Sequence, residues 1–272
     1  MALTEDTFIS HLVELRDRLI RALIAILVAF ALIGFWPTYG VIYDFLALPL
    51  IKTLPVGSKM IATGVITPFL IPLKVGLMAG FMLVLPYVLY QVWAFVAPGL
   101  YSHEKKLVVP LVISSTLLFF VGVAFCYYFV FGQLFSFIAG FAPASITPAP
   151  DIEQYLSFVL TMFLAFGVAF EVPVAIIVLV RMGVVSIAQL REFRGYFVVC
   201  ASIAAAVVTP PDVVSMLALL IPMCLLYEAG IIVASLMSKV KAPEEKTDVV
   251  VGTDPLAQQM AAIEKKQNSG GR

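Results

Sequence analysis

Long runs of apolar residues alternate with short polar or proline-rich segments along most of the chain. This pattern predicts an all-α protein with six membrane-spanning helices. The longer runs match or exceed the roughly 20 residues that an α-helix needs to cross about 30 Å of hydrocarbon. Pro37–Pro68, which follows the first run, is predicted to be a long outer loop. The predicted spans are Leu19–Trp36, Phe69–Phe95, Leu107–Phe131, Ile152–Val180, Gly195–Val208 and Val213–Tyr227.

The fifth and sixth predicted spans are unusually short. Gly195–Val208 gives only ~21 Å of helix at 1.5 Å per residue. The sixth span is similar if Glu228 lies at its inner end. Two short neighbouring helices are expected to tilt little, to thin the bilayer locally or to lie inside an oligomer. The alternative is that the span boundaries are misplaced by about two to four residues.

Composition places the chain in a lipid environment. Of its 272 residues, 62% are hydrophobic and 12% are charged, and the mean hydropathy is +1.05. A soluble domain usually carries about 25% charged residues. The formal net charge is zero, which argues against nucleic acid as a partner. Cys126, Cys200 and Cys224 lie in apolar runs without metal-ligand spacing, so no metal or other cofactor is expected.

Positive charge sets the predicted orientation. If the N-terminus is cytoplasmic, all of the 17 Lys and Arg residues except Lys52, Lys59 and Lys74 fall in inner segments, as the positive-inside rule requires. Residues 1–237 are therefore predicted to form a multi-pass membrane domain with both ends in the cytoplasm. The polar segment 238–272 is predicted to be a disordered cytoplasmic tail.

Four sequence motifs, in this order, resemble those of the TatC family of twin-arginine translocase proteins. They are HLVELRDRL at 11–19, YQVWAFVAPGLYSHEKKLVVP at 90–110, FGVAFEVPVA at 166–175 and TPPDVVS at 209–215. The resemblance covers nearly the whole chain from Phe8 to about Ser235, and the tail lies outside it.

The resemblance implies a fold and a function. TatC proteins form a six-helix, glove-like bundle with a concave face in the bacterial cytoplasmic membrane. They are receptors for twin-arginine signal peptides of folded cargo proteins, and they work with the single-span partners TatA and TatB. The proton-motive force drives this export. A homo-oligomer that includes TatB is expected.

Two acids, Glu14 and Glu104, are predicted to lie on the inner side of the membrane. A carboxylate can accept two parallel hydrogen bonds from a guanidinium group, so a pair of acids suits a pair of arginines. The matching family acids are implicated in contacting the twin-arginine motif. The structural alternatives are an i,i+4 pair of Glu14 with Arg18 and a favourable dipole interaction of Glu104 at the start of the third helix.

Apolar residues near these acids are candidate contacts for a signal peptide. Leu12 belongs to a face of helical spacing that also includes Phe8, Leu15 and Leu19. Phe95 matches a family position linked to signal-peptide binding. Arg16 matches a residue of the family's N-terminal motif and is grouped with the signal-peptide-binding residues, with membrane orientation as its alternative role. Ordinary interfacial anchoring is the alternative for the apolar residues.

Glu171 is an ionisable residue deep in the fourth predicted span. Such a group is costly in lipid and usually faces protein or water. Pro173 frees a backbone carbonyl and is predicted to kink the helix. A kinked helix with an inward carboxyl suits a water-lined concavity, and a glutamate matches it in the family. The alternative is a protonated carboxyl that serves packing alone.

Outer-side residues are assigned to a cap or to partner contact. Asp212 has two compatible interpretations: it stabilises the start of the sixth helix, and it matches a family acid important for transport. Thr209 is the one polar member of a family partner-docking cluster, because Ala206 and Met216 occupy the other places. The remaining residues assigned to this side are Pro49 and Phe69.

Two other function classes are less consistent with the sequence. An intramembrane protease is disfavoured, because His11 and His103 lie in inner segments and the spans hold neither GxSxG nor paired aspartates. The chain is therefore not expected to be an enzyme. An ion-coupled small-solute transporter could use Glu171, Asp212, Lys74 and Glu228, but no internal repeat supports it.

Overall fold

A computed structural model describes residues 2–35, 39–54, 60–96, 108–141, 149–209 and 212–240. Its described part is predominantly helical and contains one isolated parallel bridge, between Ile61 and Asp151, but no strand. The chain through Ser235 forms one compact unit, and a second unit begins at Leu236.

The helices alternate between long apolar elements and short ones. In chain order they are α1 (Ala2–Phe35), α2 (Tyr39–Ile51), α3 (Thr67–Leu83), α4 (Leu85–Val96), α5 (Val108–Phe125), a π-helical turn (Cys126–Val130), α6 (Phe131–Phe141), α7 (Ile152–Phe170), α8 (Val172–Arg181), α9 (Ile187–Glu192), α10 (Arg194–Val208) and α11 (Val213–Val240).

Several helices are long and apolar enough to cross a membrane, as the sequence predicts. Among the described residues, four stretches qualify singly, and α3 with α4 qualifies as a pair bent by 60°. The helices α2 and α10 are apolar but shorter. The count of six spans stays a prediction. The four single stretches are Ile9–Phe35, Val108–Gly140, Ile152–Arg181 and Val213–Met237.

The second predicted span is broken rather than continuous. Its helix stops at Leu83, and α4 begins at Leu85. Pro86 lies at the second position of α4, where a missing N–H costs nothing, whereas in mid-helix it would remove a hydrogen bond. The sharp bend at this point gives α4 a different direction from α3.

The predicted outer loop Pro37–Pro68 and the predicted end of the third span are both wrong. The loop contains α2, which buries Leu46 and Ala47. The third span continues through the π-helical turn to Phe141. Its extension buries Phe131, Leu134 and Phe135, and this burial outweighs the breaking tendency of the glycine at 132.

The short fifth span is confirmed, because α10 has 15 residues. The short sixth span is wrong, because α11 has 28 residues and continues past Glu228. The carboxylate of Glu228 lies at the surface and accepts a 2.6 Å hydrogen bond from Arg194. A charged residue on the exposed face of a helix does not end it.

Close helix crossings depend on glycine. A Cβ atom on Gly122 of α5 would lie 2.6 Å from the carbonyl oxygen of Phe166 in α7. A Cβ atom on Gly80 of α3 would lie 2.9 Å from the backbone nitrogen of Phe30 in α1. Small residues of this kind let helix backbones approach closely in lipid. The α5–α7 crossing centres on the fully buried Phe166.

Candidate functional site

The carboxylate of Glu14 on α1 is held by a neighbouring guanidinium group. Arg18, one turn along the same helix, donates from Nε and from Nη2 to the Oε1 atom of Glu14 at 3.0 and 2.5 Å. The Oε2 atom lies 3.9 Å from Nδ1 of His11. The Glu14 side chain is 38% exposed, so this acid faces outward with one oxygen free of any strong donor.

The helix α4 packs against this part of α1 through two residues one turn apart. The ring of Phe95 stacks on that of His11 with centroids 4.2 Å apart and planes 17° apart. The buried Gln91 accepts a 3.5 Å hydrogen bond from Nη1 of Arg18. Sequence reasoning named Phe95 but missed Gln91, because nothing local distinguishes that glutamine from an interfacial one.

Other residues on this side are also predicted to bind the signal peptide. Glu104 lies outside the described residues. Leu12 is 48% exposed. Arg16 is exposed and donates to Asp17 at 3.0 and 2.8 Å. The structure therefore links Glu14 to Phe95 through His11, whereas the guanidinium of Arg16 donates to Asp17.

Glu171 occupies the interruption between α7 and α8, two residues before Pro173. Both carboxylate oxygens are buried, and neither has a hydrogen-bond partner among the described residues. The Ser115 hydroxyl of α5 is adjacent and accepts a 2.9 Å hydrogen bond from Nε1 of Trp93. A buried carboxyl without a hydrogen-bond partner is costly, which makes Glu171 a candidate for a functional role.

The helix α4 therefore lies between two groups of polar side chains. Gln91 and Phe95 face α1, whereas Trp93, on the opposite side of the helix, reaches Ser115 beside Glu171. Neither Trp93 nor Ser115 was singled out from the sequence. A serine in the middle of an apolar run and a tryptophan in a motif give no local sign of a shared contact.

A second polar cluster ties α3 to the start of α7. Lys74 donates to Oε1 of Glu153 at 2.8 Å, and the hydroxyl of Thr67 donates to Oε2 at 2.7 Å. Asp151 caps α7 through the backbone N–H groups of residues 153 and 154. Lys74, one of the three cations outside the predicted inner segments, is thus held in an ion pair.

Asp151 also holds the segment before α3. Its Oδ2 atom accepts from the hydroxyl of Thr63 at 2.6 Å and from the Thr63 N–H at 3.0 Å. The Thr63 hydroxyl first, then the N–H groups of Gln154 and Thr63, lower the pKa of Asp151 to about 2. This carboxylate remains charged at any physiological pH.

The predicted cap residues have structural partners. Asp212 accepts a 2.7 Å hydrogen bond from the N–H of Ser215 at the start of α11, which is its capping role. The buried Thr209 hydroxyl donates to the carbonyl of Ala205 at 2.8 Å. Pro49 lies inside α2, and Phe69 is 69% exposed.

Thr209 does not lie in a wholly polar cluster. Ala206 is exposed and Met216 is half-buried, so the neighbouring surface is apolar. Within the described ranges no three His, Cys, Asp or Glu residues lie close enough to hold a metal ion.

The fold and this arrangement of charged groups define a polytopic helical membrane protein with carboxylates at the ends of its helices and one within a span. Residues 10–222 match the family described as "Sec-independent protein translocase protein (TatC)". The chain belongs to the TatC family and is a component of the twin-arginine protein translocase, a protein-transport system.

Curated relatives and a solved structure agree with this family. The TatC protein of Escherichia coli K12 is 49% identical over 229 residues, 84% of this chain and 88% of the relative. That of Halothiobacillus neapolitanus is 48% identical over 86% of this chain, but the chain spans only 63% of that relative's length. A crystal structure described as "Twin Arginine Translocase Receptor- TatC" aligns with TM-score 0.74 and 38% identity, over 84% of this chain and 99% of that one.

Proposed function

We propose that the chain is the subunit that binds twin-arginine signal peptides, with Glu14 and Glu104 as the acids that contact the two arginines. The observation that carries the proposal is the contact between Glu14 and Arg18. The carboxylate of Glu14 already accepts two hydrogen bonds from one guanidinium group while staying 38% exposed. A carboxylate that binds one guanidinium in this manner can bind the guanidinium of a peptide in its place.

Chain connectivity supports the assignment of Glu104 to the same site. The helix α4 ends at Val96 and contacts α1 through the stacked rings of Phe95 and His11. In the sequence Glu104 follows the end of α4 by eight residues, and this short separation supports its assignment to the site of Glu14. Two carboxylates at a lipid boundary attract a doubly cationic peptide, and water is partly excluded there, so each charged hydrogen bond is stronger than in bulk water.

The apolar part of a signal peptide needs an apolar surface next to these acids. Leu12 is exposed on α1 and follows His11 in the sequence, and the ring of His11 stacks on Phe95 at the end of α4. We assign these two side chains to that contact, and Arg16 to the orientation of α1 at the anionic inner leaflet. The Arg16–Asp17 pair leaves Arg16 no direct role toward Glu14.

Transport is assigned to the intramembrane and outer residues. Glu171, with Pro173 interrupting its helix, is proposed to face water during export of folded proteins by the proton-motive force. Partner spans, those of TatA and TatB, are proposed to contact the outer ends of α10 and α11 by packing more than by hydrogen bonding. The residues assigned to this contact and to the outer cap are Thr209, Asp212, Pro49 and Phe69.

The proposed setting is the bacterial cytoplasmic membrane, with both termini in the cytoplasm. This orientation is supported by the distribution of Lys and Arg in the sequence. An oligomer with TatB is proposed in the resting state. The competing transporter hypothesis loses support, because Lys74 and Glu228 are each held in an ion pair and do not stand free along one pathway.

A peptide pull-down tests the binding proposal. Membranes that contain the full chain are mixed with a twin-arginine signal peptide or with a twin-lysine version of it. A receptor should lose most binding on the lysine change, whereas a small-solute transporter should retain neither peptide. Stronger retention of the twin-arginine peptide than of the twin-lysine peptide supports guanidinium recognition.

A double variant tests the two acids. We expect Glu14→Ala with Glu104→Ala to abolish photo-crosslinking of the twin-arginine peptide, while the protein still accumulates in the membrane. The matched control is Asp44→Ala with Glu192→Ala, which removes two acids that lie outside the proposed site. Wild-type crosslinking in the Glu14/Glu104 variant would remove the acidic-site proposal.

A further inference from the structure

Arg18 occupies the acid to which a peptide arginine is proposed to bind. Its Nε and Nη2 atoms both donate to Oε1 of Glu14, at 3.0 and 2.5 Å. A bidentate contact with an incoming guanidinium uses both oxygens of a carboxylate in parallel. Because Arg18 saturates one of the two oxygens from the side, a second guanidinium cannot make that contact while Arg18 stays in place.

Charge leads to the same conclusion. The Glu14 carboxylate is partly neutralised by a cation on its own helix, so an approaching cationic peptide meets a nearly neutral pair. The Arg18 side chain is only 22% exposed, and solvent therefore screens the pair less than it screens a fully exposed one. Full attraction toward the peptide returns only after Arg18 moves away.

Gln91 offers Arg18 another acceptor. The Oε1 atom of this buried glutamine lies 3.5 Å from Nη1 of Arg18, at the long end of a hydrogen bond. Movement of the guanidinium toward α4 would shorten this contact as the contact with Glu14 is lost. The arginine then keeps a hydrogen-bond partner instead of bearing the full cost of losing one.

We propose that Arg18 is a built-in competitor for Glu14 that a peptide arginine must displace, and that Gln91 receives the displaced guanidinium. This inference rests on the proposed function of Glu14. The free-energy cost of displacing Arg18 from Glu14 is the same whichever peptide binds. The competitor therefore sets the affinity of the site and does not set its preference for arginine over lysine.

Equilibrium binding of a fluorescent twin-arginine peptide to the purified full chain tests the competitor. For Arg18→Gln we expect affinity to rise about two- to fivefold, the range that a partly exposed ion pair allows. The twin-lysine peptide should gain by the same factor. A fall in affinity would overturn the inference, because it would mean that Arg18 positions Glu14 instead of blocking it.

Two further variants separate competition from a general loss of positive charge. Arg21→Gln removes an exposed arginine, which among the described residues has no ion pair, and it measures the charge effect alone. Arg18→Lys keeps the charge but loses the two-donor contact, so it should still raise affinity. An Arg18→Lys affinity equal to that of the wild type would also overturn the inference. This variant carries the test if Arg18→Gln does not accumulate in the membrane.

A double-mutant cycle tests the receiving role of Gln91. Gln91→Leu should weaken peptide binding in the wild-type background and change it little in the Arg18→Gln background. Equal weakening in both backgrounds would assign Gln91 to packing only. Failure of the wild-type chain to bind any twin-arginine peptide would instead count against the proposed function, so the two failures are distinguishable.

Discussion

The hydroxyl of Tyr127 donates a 2.8 Å hydrogen bond to the carbonyl oxygen of Phe45. In an uninterrupted helix that carbonyl would accept from the N–H of the residue four positions later, which is Pro49 and has no N–H. Tyr127 lies in the π-helical turn, and its ring stacks on Phe45 with centroids 4.7 Å apart. The π-helical turn thus supplies a donor for the acceptor that the proline leaves open.

Loss of this hydroxyl should loosen α2. We expect Tyr127→Phe to reduce the free energy of unfolding by ~1 kcal/mol, the usual net value of one hydrogen bond, and to lower the Tm measured in detergent. The control is Tyr128→Phe, the same change on a ring that is 74% exposed. In a Pro49→Ala background, where the helix regains an N–H, Tyr127→Phe should cause a smaller loss of stability. Equal Tm shifts for both tyrosine variants would contradict this account.

The α5–α7 crossing should not tolerate a methyl group. In Gly122→Ala the new Cβ atom would lie 2.6 Å from the Phe166 carbonyl oxygen, a backbone atom that cannot rotate away. We expect a loss of ~1–3 kcal/mol in stability, typical of overpacking. Gly140→Ala in α6, where nothing lies within 4 Å of the new atom, should be neutral or slightly stabilising. Thermal unfolding of both variants in detergent checks the contrast, and similar Tm values would refute it.

Glu171 should matter for transport and not for accumulation. Glu171→Gln keeps the size and the hydrogen-bonding capacity of the side chain but cannot ionise. We expect export of a twin-arginine reporter to fall severalfold while the amount of protein in the membrane stays at the wild-type level. The control is Glu192→Gln, the same change at an exposed position at the end of α9. Wild-type export by Glu171→Gln would leave the carboxyl a packing role only.

The Asp151 cap should make stability depend on pH. Because the pKa of Asp151 is lowered from 3.8 to about 2, its contribution is fully present above about pH 4 and is lost as the pH falls through about 2. Thr63→Val removes the largest cause of that shift and should lower Tm at pH 6. The Tm gap between this variant and the wild type should close as the pH falls toward 2. The control is Thr53→Val, which removes a hydroxyl that donates to the carbonyl of Leu50 at the end of α2; it should show no such convergence.

Sequence patterning predicted the helical class and much of the helix placement. Long apolar runs become helices in lipid because a helix satisfies its own backbone hydrogen bonds, and the short α10 follows directly from its 15 residues. One error came from taking the charged Glu228 as the end of a helix, and the others occurred where a proline or glycine was given the wrong weight. Pro86 breaks a run that is continuously apolar, whereas Pro49 and Gly132 lie inside helices.

The candidate site was only partly predictable for a similar reason. The pair formed by Glu14 and Arg18 follows from i,i+4 helical spacing, and the sequence predicted it as one of two alternatives for Glu14. The contact between His11 and Phe95 and the hydrogen bond from Arg18 to Gln91 join segments about 80 residues apart in the chain. No local pattern encodes which residue of α4 meets α1, because the bend at Val84 sets the direction of α4.

Composition and periodicity alone determined that the chain is a helical membrane protein. A water-soluble fold could not bury the apolar surface of a chain that is 62% hydrophobic. Which polar groups meet depended on how the helices pack. The pairing of Lys74 with Glu153, of Trp93 with Ser115 and of Tyr127 with Phe45 each joins distant segments. In lipid a polar group must find its partner within the protein, and only the packed helices decide which partner is within reach.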